Sequence, residues 1–217
     1  MTCGDPSIWL KHVIGVHDKV LQSIIDVWPD CAKRFDSMAL ENHITDQLVL
    51  SLQRDPQSRK NWLVVPQLKL LDEDLAGDVV TKGFIDFVIY FDLIQENYIA
   101  YECKRLNVNF DSGFESLADK YVDKGLMRYV SAQYAQGMPF GVMVGYVLDN
   151  DVQAALEAVK SQIQKKKGKL FCFDNLPTSD LPTLSFTFRF SSTHIRKYAV
   201  IEVQHLLLPL TPGDLIE

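Results

Sequence analysis

The stretch Gly83–Leu106, GFIDFVIYFDLIQENYIAYECKRL, decides how the chain is read. It holds two apolar runs of strand length, Gly83–Phe91 and Tyr98–Cys103, separated by a short polar turn with Glu96 and Asn97. A turn this short favours an antiparallel hairpin. The first run carries one acid, Asp86, among Phe, Ile, Val and Tyr; the second ends in Glu102-Cys103-Lys104. Side chains alternate faces along a strand, so Glu102 and Lys104 point the same way. The hairpin can bring Asp86 beside Glu102, and two carboxylates and an ammonium then meet on one face of a sheet. Neighbouring carboxylates withdrawn from water need a raised pKa or a counter-charge. Mg²⁺ supplies such a charge, because it takes oxygen ligands and is held by one or two carboxylates plus water and phosphate oxygens. These residue types point to metal-assisted phosphodiester hydrolysis. The plain alternative is an edge strand with solvated ends, since Glu-X-Lys alone is a common tripeptide.

On the N-terminal side, Asn61–Leu71 reads as a strand that Pro66 confines to an edge or a bulge, and Asp72–Lys82 as an acidic linker. Asp36–Gln53 reads as a helix capped by Asp36 or Ser37, with Leu40, Ile44, Leu48 and Leu52 as its stripe. Glu41 lies beside that stripe in the first turn, where a carboxylate also suits the helix dipole. Asp55–Ser58 closes the helix as a loop. Ser7–Trp28 reads as one or two amphipathic helices, interrupted at Gly15 and ended by Pro29.

On the C-terminal side, Asn107–Gly113 reads as a loop. Phe114–Gln136 reads as a long helix burying Leu117, Tyr121, Leu126, Tyr129, Val130 and Ala132. Lys120, Lys124 and Arg128 recur every four residues along it, either as a solvated face or as phosphate contacts. Phe140–Leu148 is apolar on both faces, as a buried, largely parallel strand is. Asp149–Lys167 is a further helix capped by Asp149 or Asn150. Leu184–Ser191 and Tyr198–Leu208 read as strands flanking a polar turn, 191–196, and Pro209–Glu217 as a loose tail. His194 and Arg196 share one side of an extended chain, where they close a hairpin or hold a phosphate or base. His205, inside an apolar strand, reads as a core histidine.

Helix, three strands, helix and strand thus follow one another from Asp36 to Leu148, with Asp86 and Glu102-Cys103-Lys104 on successive strands. This pattern resembles the PD-(D/E)XK, or restriction-endonuclease-like, nuclease superfamily over about half the chain. The resemblance implies a mixed α/β (α+β) fold: an N-terminal helical extension at 1–35, an αβββαβ core at 36–148, and a helix and strands at 149–217 that complete the same domain. It implies a nuclease, with the expectation of a DNA endonuclease ahead of an enzyme acting on RNA. Asp86, Glu102 and the Cys103 carbonyl would ligate Mg²⁺, for which Mn²⁺ substitutes. Glu41 would complete the shell directly or through water, and Lys104 would orient the attacking water or stabilise the oxyanion. Lys120, Lys124, Arg128, Gln133, His194 and Arg196 are candidate nucleic-acid contacts, Gln133 because a glutamine on this helix recurs in some branches. The run YVDKGLMRYVSAQYAQG resembles small nucleases of prokaryotic anti-phage defence. That likeness implies the effector of a multi-subunit system with an ATPase or other protein partner; a homo-oligomer is left open. The rival is a catalytically silent subunit that serves as a binding or assembly module.

Composition narrows the classes. At 217 residues and 47% hydrophobic, the chain has the size of one domain with additions. No apolar run approaches the roughly 20 residues of a membrane span, and the first residues lack a signal-peptide pattern, so a cytoplasmic protein without membrane contact is expected. Cys3, Cys31, Cys103 and Cys172 form no C-x-x-C pair, which suits a reducing compartment and argues against zinc. The formal charge of −6 is unusual for a stand-alone DNA binder, which favours a partner that delivers substrate. Nucleophile-elbow, P-loop and dinucleotide fingerprints are absent.

Overall fold

The computed structural model describes residues 6–92, 97–173, 181–184, 187–197 and 199–211. Cys3, Glu96, Tyr198 and tail residues 212–217 lie outside the described residues. In chain order the elements are α1 (Pro6–Ala32), α2 (Glu41–Arg54), α3 (Pro56–Asn61), β1 (Leu63–Glu73), β2 (Val79–Tyr90) and β3 (Tyr98–Leu106). A small pair follows, β4 (Val108–Phe110) and β5 (Gly113–Glu115), then α4 (Ala118–Lys120), a π-helix (Tyr121–Leu126) and α5 (Met127–Val130). The chain continues with β6 (Phe140–Val147), α6 (Val152–Lys165), β7 (Leu181–Leu184), β8 (Thr187–Ile195) and β9 (Val200–Pro209). The fold is mixed α/β, with seven strands ordered β1-β2-β3-β6-β9-β8-β7 in one sheet. Each outer part is antiparallel, whereas β3, β6 and β9 run parallel at the centre.

The hairpin expected at 83–104 is present, in register from Phe87↔Tyr101 to Tyr90↔Tyr98. Residues 36–148 contain a helix, three sheet strands, a helical segment and a fourth sheet strand in that order, with α3 and the β4–β5 pair inserted between them. Pro66 sits on β1, an edge strand, as its missing N–H requires. β6 is buried along its whole length between two parallel neighbours. Helices cover both faces of the sheet. Ile24, Trp28, Ile44 and Leu48 of α1 and α2 pack with Phe87, Tyr101, Val144 and Tyr146 on one face. Tyr121, Leu126 and Tyr129 pack with α6 and with Val88, Ala100 and Met143 on the other.

Several local expectations are corrected. Gly15 and Pro29 do not break α1; Pro29 lies inside it near its end, where the buried Ile25, Trp28, Cys31 and Ala32 hold the turn in place. α2 starts at Glu41, because the Asp36 carboxylate accepts the Met38 N–H in a preceding turn; Leu40 is left exposed. Asp55 caps the short α3, so 55–58 is not a plain loop. The acidic 72–82 segment is the end of a long β1–β2 hairpin, not a linker. Residues 107–113 contribute to the β4–β5 pair. The long helix is helical only over 118–130 and is widened by the π turn; Ala132 and Ala135, both left-handed (φ 58° and 50°), end it, and Ala132 is only half-buried. Asp151, not Asp149 or Asn150, caps α6 by accepting the Ala154 N–H. β8 runs through 191–195, and the reversal falls at Arg196–Ala199. Residues 209–210 are docked: the Trp28 indole donates to the Pro209 carbonyl (2.6 Å) and Leu210 is buried.

Candidate active site

The site forms where β2 and β3 part. Their register stops at Phe87↔Tyr101, one step short of placing Asp86 opposite Glu102. On the other side of β2 the register skips from Pro66↔Phe87 to Leu68↔Ile85. Gln67, opposite Asp86, is left-handed (φ 47°) and out of the ladder. Alternation slips here too, since Ile85 packs on the same face as Val88 and opposite to Phe87. Asp86 is thus turned toward β3, where its Oδ2 accepts the Cys103 N–H (2.6 Å). A carboxylate takes the place of a ladder carbonyl, which leaves its second oxygen for other partners.

Glu102 and Lys104 share a face of β3 as the alternation requires, and Lys104 Nζ contacts Glu102 Oε1 at 2.9 Å. Lys104 Nζ also donates to the Cys103 carbonyl (2.7 Å) and to Glu41 Oε1 (2.7 Å). Glu41 stands in the first turn of α2, and its Oε2 accepts the Arg105 N–H (3.0 Å). Both Glu41 oxygens therefore fasten Lys104 and its strand. Arg128 closes the cluster: its Nη1 donates to both Glu102 oxygens (2.9 and 3.0 Å) and to the Tyr134 hydroxyl (2.5 Å). Tyr134 in turn donates to the Phe84 carbonyl on β2. Gly125 lies above Glu102 and Met143, where a Cβ would collide with the Met143 side chain, so glycine lets the π-helix approach this closely.

The electrostatics are strained. The Glu102 side chain is fully buried. Burial first, and the Asp86 charge second, push its pKa up from 4.5 to about 7, against the pull of Lys104 and Arg128. Burial also raises Asp86, although Lys104 opposes the shift. Burial disfavours the Lys104 ammonium, but Glu102, Glu41 and Asp86 together outweigh it and hold its pKa above the usual lysine value. Lys104 is accordingly a cation and a donor at neutral pH.

The donor set suits a hard cation. Asp86, Glu102 and the Cys103 carbonyl offer oxygen alone, as Mg²⁺ prefers. Among the described residues no three His, Cys, Asp or Glu side chains form a ready cage, so water and a substrate phosphate would have to complete such a shell. Glu41 faces Lys104 instead.

The remaining sequence candidates separate. Lys120 and Lys124 are exposed, Lys120 beside Glu115 (3.3 Å). Arg128 is drawn inward to Glu102; the wider i→i+5 turn before it rotates it away from the face a regular helix would share with Lys124. Gln133 donates to the Lys82 carbonyl (2.7 Å) against Gly83, so it braces β2 and is engaged with backbone. Arg196 is buried and donates to the carbonyls of Ala135 (2.8 Å) and Tyr134 (3.3 Å), not to the surface. His194 is fully buried. Its Nδ1 faces the Leu170 carbonyl (2.9 Å), which can only accept, so Nδ1 carries the proton. The Ser192 hydroxyl then donates to His194 Nε2 (2.7 Å) and accepts from His205 Nε2 (2.8 Å), and the Tyr121 hydroxyl donates to His205 Nδ1 (3.0 Å). His205 is the core histidine expected; His194 and Arg196 are interior groups and not nucleic-acid contacts. Arg128 and Tyr134 are the members of the charged cluster whose place there the sequence did not reveal, since only the π turn brings the arginine to Glu102.

No family model matches the chain, no curated protein matches it in sequence, and no solved structure matches it. Among the described residues no helix is long and apolar enough to cross a membrane.

Proposed function

We propose that the chain is a metal-dependent nuclease of the PD-(D/E)XK type that hydrolyses phosphodiester bonds, as a DNA endonuclease. The convergence of Asp86, Glu102 and Lys104 at a point where β2 leaves both ladders carries this reading. Asp86, Glu102 and the Cys103 carbonyl would hold Mg²⁺, or Mn²⁺ in its place. Such an ion would supply a water of lowered pKa and would offset charge on the phosphoryl oxygens. Lys104, kept protonated by three carboxylates, donates to the attacking water or to the developing oxyanion. Glu41 holds that ammonium through its Oε1 (2.7 Å). Asp86 ties the fork to the Cys103 amide and so fixes the carbonyl on the same residue. The acidic balance of the chain favours a protein partner that brings nucleic acid to it, such as an ATPase, within a cytoplasmic defence system.

One observation favours the rival, a silent assembly module: Lys104 and Arg128 already neutralise Glu102. Incubation with Mg²⁺ or Mn²⁺ and plasmid, linear duplex, single strands or RNA decides between them. Cleavage by wild type that is lost in Glu102→Gln supports the nuclease. Inactivity on every substrate, with no metal-dependent rise in melting temperature, favours the module.

A further inference from the structure

The position of Arg128 suggests how the site is controlled. One nitrogen, Nη1, lies 2.9 and 3.0 Å from the two Glu102 oxygens, on the side of the carboxylate where a chelated cation would sit. Lys104 meanwhile occupies the Cys103 carbonyl. The carboxylates of Glu41, Asp86 and Glu102 are thus faced by two protein cations, one short of balance. Adding a divalent cation to this set overshoots to net positive. Adding it while Arg128 leaves brings the set to neutrality. Arg128 is able to leave, because its side chain is 34% exposed, whereas that of Lys104 is 14% exposed and is gripped by Glu41 as well. A swing outward costs it Glu102 and the Tyr134 hydroxyl, and Tyr134 keeps its bond to Phe84.

We propose that Arg128 is a resident cation that occupies the metal position and must be displaced before a divalent ion can bind, so that it sets how readily the site loads. This rests on the metal-site reading above. Arg128 is here a positioning residue that acts through Glu102. Competition of this kind makes metal and guanidinium mutually exclusive partners of one carboxylate, with a coupling of the size usual between linked sites.

The test is calorimetric titration of MnCl₂ into metal-free wild type, Arg128→Met and Glu102→Gln at pH 8 without nucleic acid. Arg128→Met is expected to bind Mn²⁺ roughly tenfold or more tightly than wild type, and Glu102→Gln not measurably. Unchanged or weaker binding by Arg128→Met, with binding still lost in Glu102→Gln, overturns the resident-cation role and leaves the metal site standing. Equal binding by Glu102→Gln, or none by any form, overturns the metal site and this role together. A second measurement covers a failure of Arg128→Met to fold. The side-chain Nε–H resonance of Arg128 in ¹⁵N-labelled wild type, assigned with Arg128→Lys, should move and exchange faster with solvent as MgCl₂ is added. A resonance that stays fixed at saturating Mg²⁺ overturns the proposal.

Discussion

From Tyr121 to the Leu170 carbonyl, hydrogen bonds run through His205, Ser192 and His194 in one direction, each donor meeting one acceptor. All four side chains are fully buried, and burial lowers the pKa of both histidines, so the chain is neutral. Two strands away in the sheet, with Met143 between Glu102 and His205 in the register, the cluster at the β2–β3 fork holds three carboxylates against two cations. There burial raises the Glu102 pKa despite both cations, and Arg128 and Lys104 keep partial access to solvent. The first network is complete and closed, as a structural element should be. The second is incomplete and open. Charge left short of balance in the interior is a reason to look for a ligand there.

That contrast can be broken by mutation. The largest effect is expected for Lys104→Ala, which should slow metal-dependent cleavage by about a hundred- to a thousandfold in the molecules that remain folded. His205→Ala should lower stability without touching that rate. It empties the space stacked on Phe190 and leaves Tyr121 and Ser192 without their partner, a loss of about 3 kcal/mol. The folded fraction should cleave at the wild-type rate per molecule. If purified, folded His205→Ala is catalytically dead, the division between a structural and a chemical cluster is wrong.

The pH dependence of stability sharpens the contrast, because the two clusters have opposite signs. Folded Glu102 holds its proton more tightly than the unfolded chain, so its contribution favours folding at low pH and is lost as pH rises from 4.5 to about 7. The histidines have lowered values, so their contribution is present above 6.5 and is lost as pH falls below it. In metal-free protein, Glu102→Gln should therefore exceed wild type by up to about 3 kcal/mol at pH 8, and match it near pH 4, where both side chains are neutral. Urea titrations at the two pH values measure this. A less stable variant at pH 8 means that pairing with Lys104 and Arg128 outweighs the burial of Glu102. Cleavage by wild type should rise as pH passes 7, since metal and proton compete for the same oxygens.

Much of this was legible in the sequence for a simple reason. Strand alternation alone puts Glu102 and Lys104 on one face, and hairpin pairing alone brings Asp86 to their level. The four-residue stripe Ile44, Leu48 and Leu52 is buried as read, and its phase places Glu41 near the sheet. The pattern could not show the fork itself. Gln67 gives no composition cue that it will leave the ladder with a positive φ, and the pairing depends on a side chain, Asp86, replacing a backbone acceptor. The role of Arg128 was hidden for a related reason: regular four-residue spacing assumes an α-helix, and a π turn is set by packing of Gly125 and Tyr129 on the sheet. His194 and Arg196 looked like turn residues because polar side chains signal turns statistically, whereas here His194 bonds Ser192 and the Leu170 carbonyl and Arg196 donates to the carbonyls of Tyr134 and Ala135.

The smallest expected effect tests the same stripe from its other end. Lys120 begins the run Lys120, Lys124, Arg128, yet only the last reaches Glu102. The Lys120 side chain is 58% exposed, and its contact with Glu115, itself 49% exposed, is long at 3.3 Å. Such a pair gains little in water and loses side-chain entropy, so Lys120→Ala should shift stability by no more than about 0.5 kcal/mol. If this face meets no substrate, the variant should also keep both its cleavage rate and the salt dependence of that rate. A flatter dependence on salt, with cleavage slowed, would mean that Lys120 neutralises a phosphate. The basic face would then belong to the substrate path, and the stripe would be split by function: its exposed end on the nucleic acid, its buried end on the carboxylate.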